Sequence, residues 1–532
     1  METSKTALAP PRALAPATHP DRVWARQRAR SLRAWTLTAL LFLIPLIAYW
    51  PATFHDYGLR DDYSNLREAH EEPATVMRFC ASHARPIYGW LLQATYGQTD
   101  SVQNLEWTRV LASLLLGAIS LVSFRSLRAL GWSFNTSLSF AVLVVLVPSA
   151  QVIAGWAVGW PYAAAALLAI GGFFAAEGAA ARAVTLRLRI AQGFVGLGLM
   201  VVSALIYQPS AMFYLVPLAA ALIAQRERNL AQTSRWIAFH CGFVSVSLAM
   251  AYGIISAMYA AGLFVKSGRV AFETDWVGKL QWFISEPLPN ALSLFVLNDD
   301  HQRDHVLYLG CATLVAAILA AGVVVEWKRH GHVRGLIWLT GLLGLPLFAC
   351  AVSLIASERY ATYRTIYAMT AVLLCFLVTS VRALTHGWGS RGRALLAASC
   401  ISIAFFIAQH HVYALIAVPQ GNEWELIENG AQKVRIDPKP RSDRPRPRIF
   451  AIASTPADIS TGTIYHDEFG SLSSNSEWVP KEMFKRAMHD LHPGIANLES
   501  RYEFTTGVKL LSGEHYDVII DMRKLRRYFV NN

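Results

Sequence analysis

Eleven apolar stretches punctuate this chain, at about residues 35–50, 107–124, 134–153, 157–176, 190–207, 210–224, 236–263, 306–325, 335–356, 365–381 and 394–418. Several reach the roughly 18–20 residues that cross a bilayer. In lipid every backbone N–H and C=O must find a partner inside the chain, so such stretches become helices. That constraint narrows the fold class to an all-α polytopic membrane bundle of about eleven transmembrane helices. Composition agrees: 16% of residues are charged, against about 25% in a soluble domain. The 16 Trp and 19 Tyr suit aromatic belts at two membrane interfaces.

The loops give an orientation. Arg22, Arg26, Arg28, Arg30 and Arg33 precede the first apolar stretch, as in an uncleaved signal anchor with a cytoplasmic N-terminus. Alternate loops then carry Arg125/Arg128, Arg182/Arg187/Arg189, Arg226/Arg228/Arg235, Lys328/Arg329/Arg334 and Arg382/Arg391/Arg393, which satisfies the positive-inside rule. The net charge of +12 is spread over these short loops, so it reads as topology and not as a nucleic-acid surface. Five of the six cysteines fall in apolar segments and Cys80 in an outer loop; neither a disulfide framework nor a zinc spacing is visible.

Four regions follow. Residues 1–34 are a disordered, basic cytoplasmic N-terminus. Residues 35–419 form the bundle, with a long outer loop at 51–106 and an interfacial segment at 264–305, where Pro287 and Pro289 interrupt an apolar run. Residues 420–448 are a Pro/Arg linker. Residues 449–532 form a small extracytoplasmic α/β domain, with strands expected at 448–453 and 516–522 and a helix at 478–491.

Chemistry concentrates outside. The loop 51–106 opens with His55-Asp56-Tyr57-Gly58-Leu59-Arg60-Asp61-Asp62-Tyr63. Carboxylates at the mouth of a membrane bundle are costly unless they face water or a partner. His83-Ala84-Arg85-Pro86-Ile87-Tyr88 follows, and a second basic group stands at Arg359 and Arg364. Positive charge outside runs against the topology bias, and a guanidinium suits a lipid phosphate by its geometry. The bland alternatives are a solvated connector and arginines paired with their own loop's carboxylates. The run Asp299-Asp300-His301-Gln302-Arg303-Asp304-His305 and the tail's His466-Asp467-Glu468 and His489-Asp490-Leu491-His492 have no metal-specific spacing, and the tail turns are expected to be exposed and without a catalytic part.

The acidic pair in the first outer loop, the Arg85-Pro86 phrase and the later outer arginine together resemble the GT-C superfamily of membrane glycosyltransferases. Within it the chain is most similar to bacterial glucosyltransferases that modify surface polysaccharide, such as O-antigen or lipopolysaccharide, and more distantly to protein O-mannosyltransferases. The resemblance implies an enzyme of the inner membrane that takes a sugar from a polyprenyl-phosphate donor and passes it to a glycan or glycolipid acceptor on the periplasmic side, with inversion. Asp61 or Asp62 would be the general base, its neighbour orienting it. Arg60, Tyr63, His83, Arg85, Tyr88, Arg359 and Arg364 would bind substrate. No cofactor is required; a divalent metal is compatible with the acidic loops but not specified by them. A polysaccharide polymerase or ligase, a transporter or flippase, and a receptor are the competing readings.

Overall fold

The computed structural model describes residues 20–181, 185–225, 229–299, 306–436, 445–453, 464–495, 497–510 and 513–525, with side chains from 35 to 523. Every apolar stretch is helical. Among the described residues nine helices are long and apolar enough to cross a membrane, and ten if the bent pair Phe134–Leu143 and Pro148–Gly155 counts as one span. That pair bends by 48° where Pro148 opens the second helix. The eleventh expected span, Gln208–Ala224, is too short by that measure. Its residues 210–222 are nevertheless buried, so it runs inside the bundle and need not match the lipid thickness. Residues 276–292 form two short helices, Trp276–Ser285 and Pro287–Leu292, divided at Pro287.

Close approach is set by small residues, as in membrane bundles generally. A Cβ at Gly117 would overlap the Phe42 carbonyl, so helices Trp35–Thr53 and Glu106–Ala129 touch backbone to backbone. Gly172 and Gly196 do the same for Trp160–Ala180 and Leu186–Ile206. Buried cations cap helix ends. Arg109 donates to the carbonyls of Thr53, His55 and Tyr57 at 3.1, 2.8 and 2.9 Å, which satisfies acceptors that a helix terminus leaves orphaned. Arg334 does so for Leu222 and Gln225. His240, the clearest ionisable group inside a span, lies 2.6 Å from Tyr214 Oη and 2.8 Å from Glu177 Oε1.

The tail corrects the expected linker. The last membrane helix passes through a π turn at Tyr413–Ala417 and continues as Val418–Ala431, so regular structure does not stop at 420. Beyond it, strands β1 (Arg448–Ile452), β2 (Glu503–Gly507) and β3 (Val518–Asp521) form a parallel sheet in the order β2-β1-β3. β2 is a short, half-exposed edge strand whose polar sequence, Glu-Phe-Thr-Thr-Gly, hides it from a hydrophobicity reading. Helix Val479–Leu491 buries Val479, Met483, Phe484, Ala487 and Met488; these recur at three- and four-residue intervals, the apolar stripe of an amphipathic helix. This helix packs on Asp61–Glu71 and on Val418–Ala431. Glu423, fully buried, accepts from Ser473 N and Ser474 N at 2.7 and 3.0 Å. The tail is therefore built onto the end of the bundle that carries the long loop 51–106.

Candidate active site

Helix Asp61–Glu71 begins at Arg60, whose φ of 45° lies in the left-handed region that non-glycine residues seldom adopt. The turn is fixed from inside by Asp62. Its Oδ2 accepts from Leu59 N at 2.8 Å and its Oδ1 from Tyr96 Oη at 2.5 Å. Asp62 is wholly buried, and burial pushes its carboxyl up to about 7. Tyr63 is equally buried; its hydroxyl bonds back to Gly58, 3.2 Å from the N and 3.0 Å from the O, and its ring stacks on Trp424. Neither residue reaches the cavity described next. Both act in the turn that presents their neighbour.

Asp61 points the other way, into a cavity of about 970 Å³. The cavity is amphipathic. Its polar lining includes Asp61, Glu68, His83, Arg85, Arg269, Glu358 and Arg364. Its apolar lining includes Leu248, Tyr252 and Ile255 from helix Leu230–Ala260, Phe348 and Val352 from the helices between 332 and 355, and Phe272. Trp478 and Glu482 of the tail also line it.

Two guanidiniums line the same cavity as the acid. The Arg364 side chain is 11% exposed, lies 4.4 Å over the Trp156 ring and donates to Tyr360 Oη at 2.9 Å, while its Nη1 has no hydrogen bond. Arg85 lies 4.9 Å over Tyr207, and its Nε is buried without a hydrogen bond. Behind it three tyrosine rings follow in sequence: Tyr207 is 4.3 Å from Tyr162, and Tyr162 stacks on Tyr88 at 5.2 Å, with their hydroxyls 2.9 Å apart. The preceding Ala84 has φ 63°. Gln208 holds that strained turn by donating to Ala84 O at 2.5 Å, and Tyr259 Oη accepts from Ala84 N at 3.1 Å. Burial raises the Asp61 carboxyl above its ordinary value; Arg364, Arg60, Arg269 and His83 oppose the rise, in that order. A part-buried acid that shares its cavity with two guanidiniums, of which Arg364 also faces Glu468 at 3.5 Å, is a site that can hold a phosphate and accept a proton.

Of the expected site residues, the structure brings Asp61, His83, Arg85, Tyr88 and Arg364 to one cavity. Arg60 stands behind it, 3.3 Å from Glu468. Arg359 is a correction: it is half-exposed and pairs with Asp275 at 2.9 Å and Glu273 at 3.8 Å. Its partners come from the interfacial segment and not from its own loop. A second correction concerns the tail turn expected to be exposed. Glu468 is 1% exposed and sits between Arg60 and Arg364, the latter at 3.5 Å, and burial raises its carboxyl. Asp467 accepts from Tyr363 N at 3.1 Å and His466 Nε2 lies 2.6 Å from Ala361 O, so the turn holds the Arg364 loop in place. His301, Arg303 and His305 lie outside the described residues. Trp156, Tyr162, Tyr207 and Arg269 were missed; each reads as a belt aromatic or a loop cation until the fold converges them. Among the described residues no group of three or more His, Cys, Asp or Glu is arranged to hold a metal ion.

No protein-family model matches the chain, and no curated protein does. Solved structures of the oligosaccharyltransferase from Archaeoglobus fulgidus are similar in outline. One, AglB in complex with an inhibitory peptide and a dolichol-phosphate, is 13% identical with a TM-score of 0.41, over 86% of this chain and 64% of that one. A second, tethered with an acceptor peptide, is 12% identical with a TM-score of 0.39, over 78% and 61%. A third, with Zn and sulfate, is 12% identical with a TM-score of 0.40, over 85% and 61%. The chain thus spans a little under two thirds of these proteins' length.

Proposed function

We propose that this multi-pass membrane protein is a glycosyltransferase that moves one sugar from a polyprenyl-phosphate donor to a glycan or glycolipid acceptor at the outer face of a bacterial inner membrane. The GT-C resemblance noted from the outer loops is part of the same reading. The observation that carries it is a single cavity lined by Asp61, Arg85 and Arg364 together with an apolar set, Leu248, Tyr252, Ile255, Phe348 and Val352.

Each part has a task. The apolar set takes the polyprenyl chain, whose burial is favourable in proportion to apolar area. Arg85 and Arg364 hold the phosphate, and their fixed N–H groups stabilise the charge that grows on it as the bond breaks. The acceptor oxygen attacks the anomeric carbon from the side opposite the phosphate. The new C–O bond forms, the bond to the phosphate oxygen breaks, and its electron pair leaves with the lipid phosphate. The acceptor's proton passes to Asp61. One displacement inverts the anomeric centre. Asp62 serves by shaping the turn, and Glu468 positions Arg364.

The test uses the full chain in lipid nanodiscs with a polyprenyl-phosphate-linked radiolabelled hexose. Release of free polyprenyl phosphate with one sugar added per acceptor supports the reading. Donor turnover that extends one chain by many units would make it a polymerase, and movement of intact donor across vesicles without covalent change would make it a flippase.

A further inference from the structure

We propose that the face built by helix Asp61–Glu71 and the tail's Trp478–Glu482 segment is the acceptor subsite, and that its occupant is a neutral oligosaccharide lying along that helix. This rests on the transferase reading above.

In the transferase reading the lipid-linked donor takes the apolar part of the cavity lining. The polar part is left for the acceptor. Asp61, Ser64, Asn65 and Glu68 all line the cavity; at intervals of three and four residues they form a single polar stripe on the helix. From Asp61 to Glu68 is two helical turns, about 10 Å, longer than one hexose ring. The far end of the stripe meets Trp478 and Glu482, which also line the cavity.

Trp478 is 46% exposed although its neighbours Val479 and Pro480 are buried. It packs into no core, so its large ring is offered to the cavity. A flat aromatic surface takes the apolar face of a sugar ring. The carboxylates beside it are held still. Glu482 accepts from Arg67 Nε at 2.9 Å and Lys485 Nζ at 3.1 Å, and Arg67 also lies 3.4 Å from Glu68. Each carboxylate keeps spare lone pairs for sugar hydroxyls. Arg67 and Lys485 are shared with Glu71, Glu72 and Glu499 as well, so carboxylates outnumber cations along this face, which selects a neutral ligand over an anionic one.

The experiment is saturation-transfer-difference NMR on the full chain in nanodiscs with neutral oligosaccharides of one to six hexose units. Wild type is expected to bind the longer members more tightly than the single hexose. Trp478→Ala is expected to weaken that binding about tenfold, the scale of one ring contact, and Trp478→Phe to restore most of it. Because Trp478 is outside the core, its removal does not unfold the tail, which circular dichroism checks. Absence of signal from the whole series, or binding unchanged in Trp478→Ala, overturns the subsite. Retention of labelled polyprenyl-phosphate-linked hexose by wild type without oligosaccharide reads the donor site separately, so failure of one is distinguishable from failure of the other.

Discussion

Two adjacent aspartates invite treatment as a pair, yet the structure assigns them opposite work, and exchanging each in turn separates the two. In Asp61→Asn the shape of the carboxyl is kept and its proton affinity is lost. General-base assistance is worth about 10²–10⁴ in rate, or roughly 3–5 kcal/mol of barrier. Asp61 lies in the cavity, and burial already disfavours its charge, so the neutral amide relieves about as much as it removes. The melting temperature should move by no more than a few degrees. In Asp62→Ala the balance reverses. Leu59 N–H and Tyr96 O–H lose their buried acceptor, each at about 1–3 kcal/mol, so the expected loss of stability is about 2–6 kcal/mol. The assay pairs single-turnover sugar transfer with thermal unfolding in the same nanodisc preparation. The reasoning is refuted if Asp61→Asn keeps more than about a tenth of the wild-type rate, or if Asp62→Ala abolishes transfer while melting as wild type does.

Four further outcomes are expected. The transfer rate should rise with pH through the elevated Asp61 value, because only the ionised form accepts a proton; Arg60→Gln removes a charge that favours ionisation and should shift that limb to higher pH. The wild type should lose stability as pH rises from about 4 to 7, since Asp62, raised to about 7, contributes fully only below its unfolded value; Asp62→Asn should reduce the dependence seen by calorimetry, with Glu423 and Glu468, also raised to about 7, supplying the rest. Arg364→Lys should raise the donor KM by about tenfold or more through loss of a planar fork, whereas Arg359→Ala should leave transfer within about twofold, as an exposed pair permits. Gly117→Ala should cost about 1–3 kcal/mol by overpacking, read as a lower yield of folded protein, because its Cβ would meet the Phe42 carbonyl.

The eleven helical segments were legible because apolar length is a one-dimensional property, and lipid leaves the backbone no alternative to helix. The concentration of chemistry in the loops at 51–106 and 357–364 was legible for a related reason. An Arg or Asp there stands out against a topology bias that its neighbours obey. What those side chains touch was not. Asp61 and Asp62 are indistinguishable in sequence, and the 100° step of one helical residue sends one carboxylate to the cavity and the other to Tyr96. Arg359 and Arg364 read alike until the carboxylates of Glu273 and Asp275 claim the first and Trp156 shelters the second. The turn around Glu468 looked solvated because a charged tripeptide usually is. Burial between Arg60 and Arg364 depends on more than a hundred residues of intervening chain. Local composition determined which segments cross the membrane; only the packing of the tail onto the loop decided which charges meet, since electrostatic energy depends on separation and solvent access, and neither is written in the order of residues.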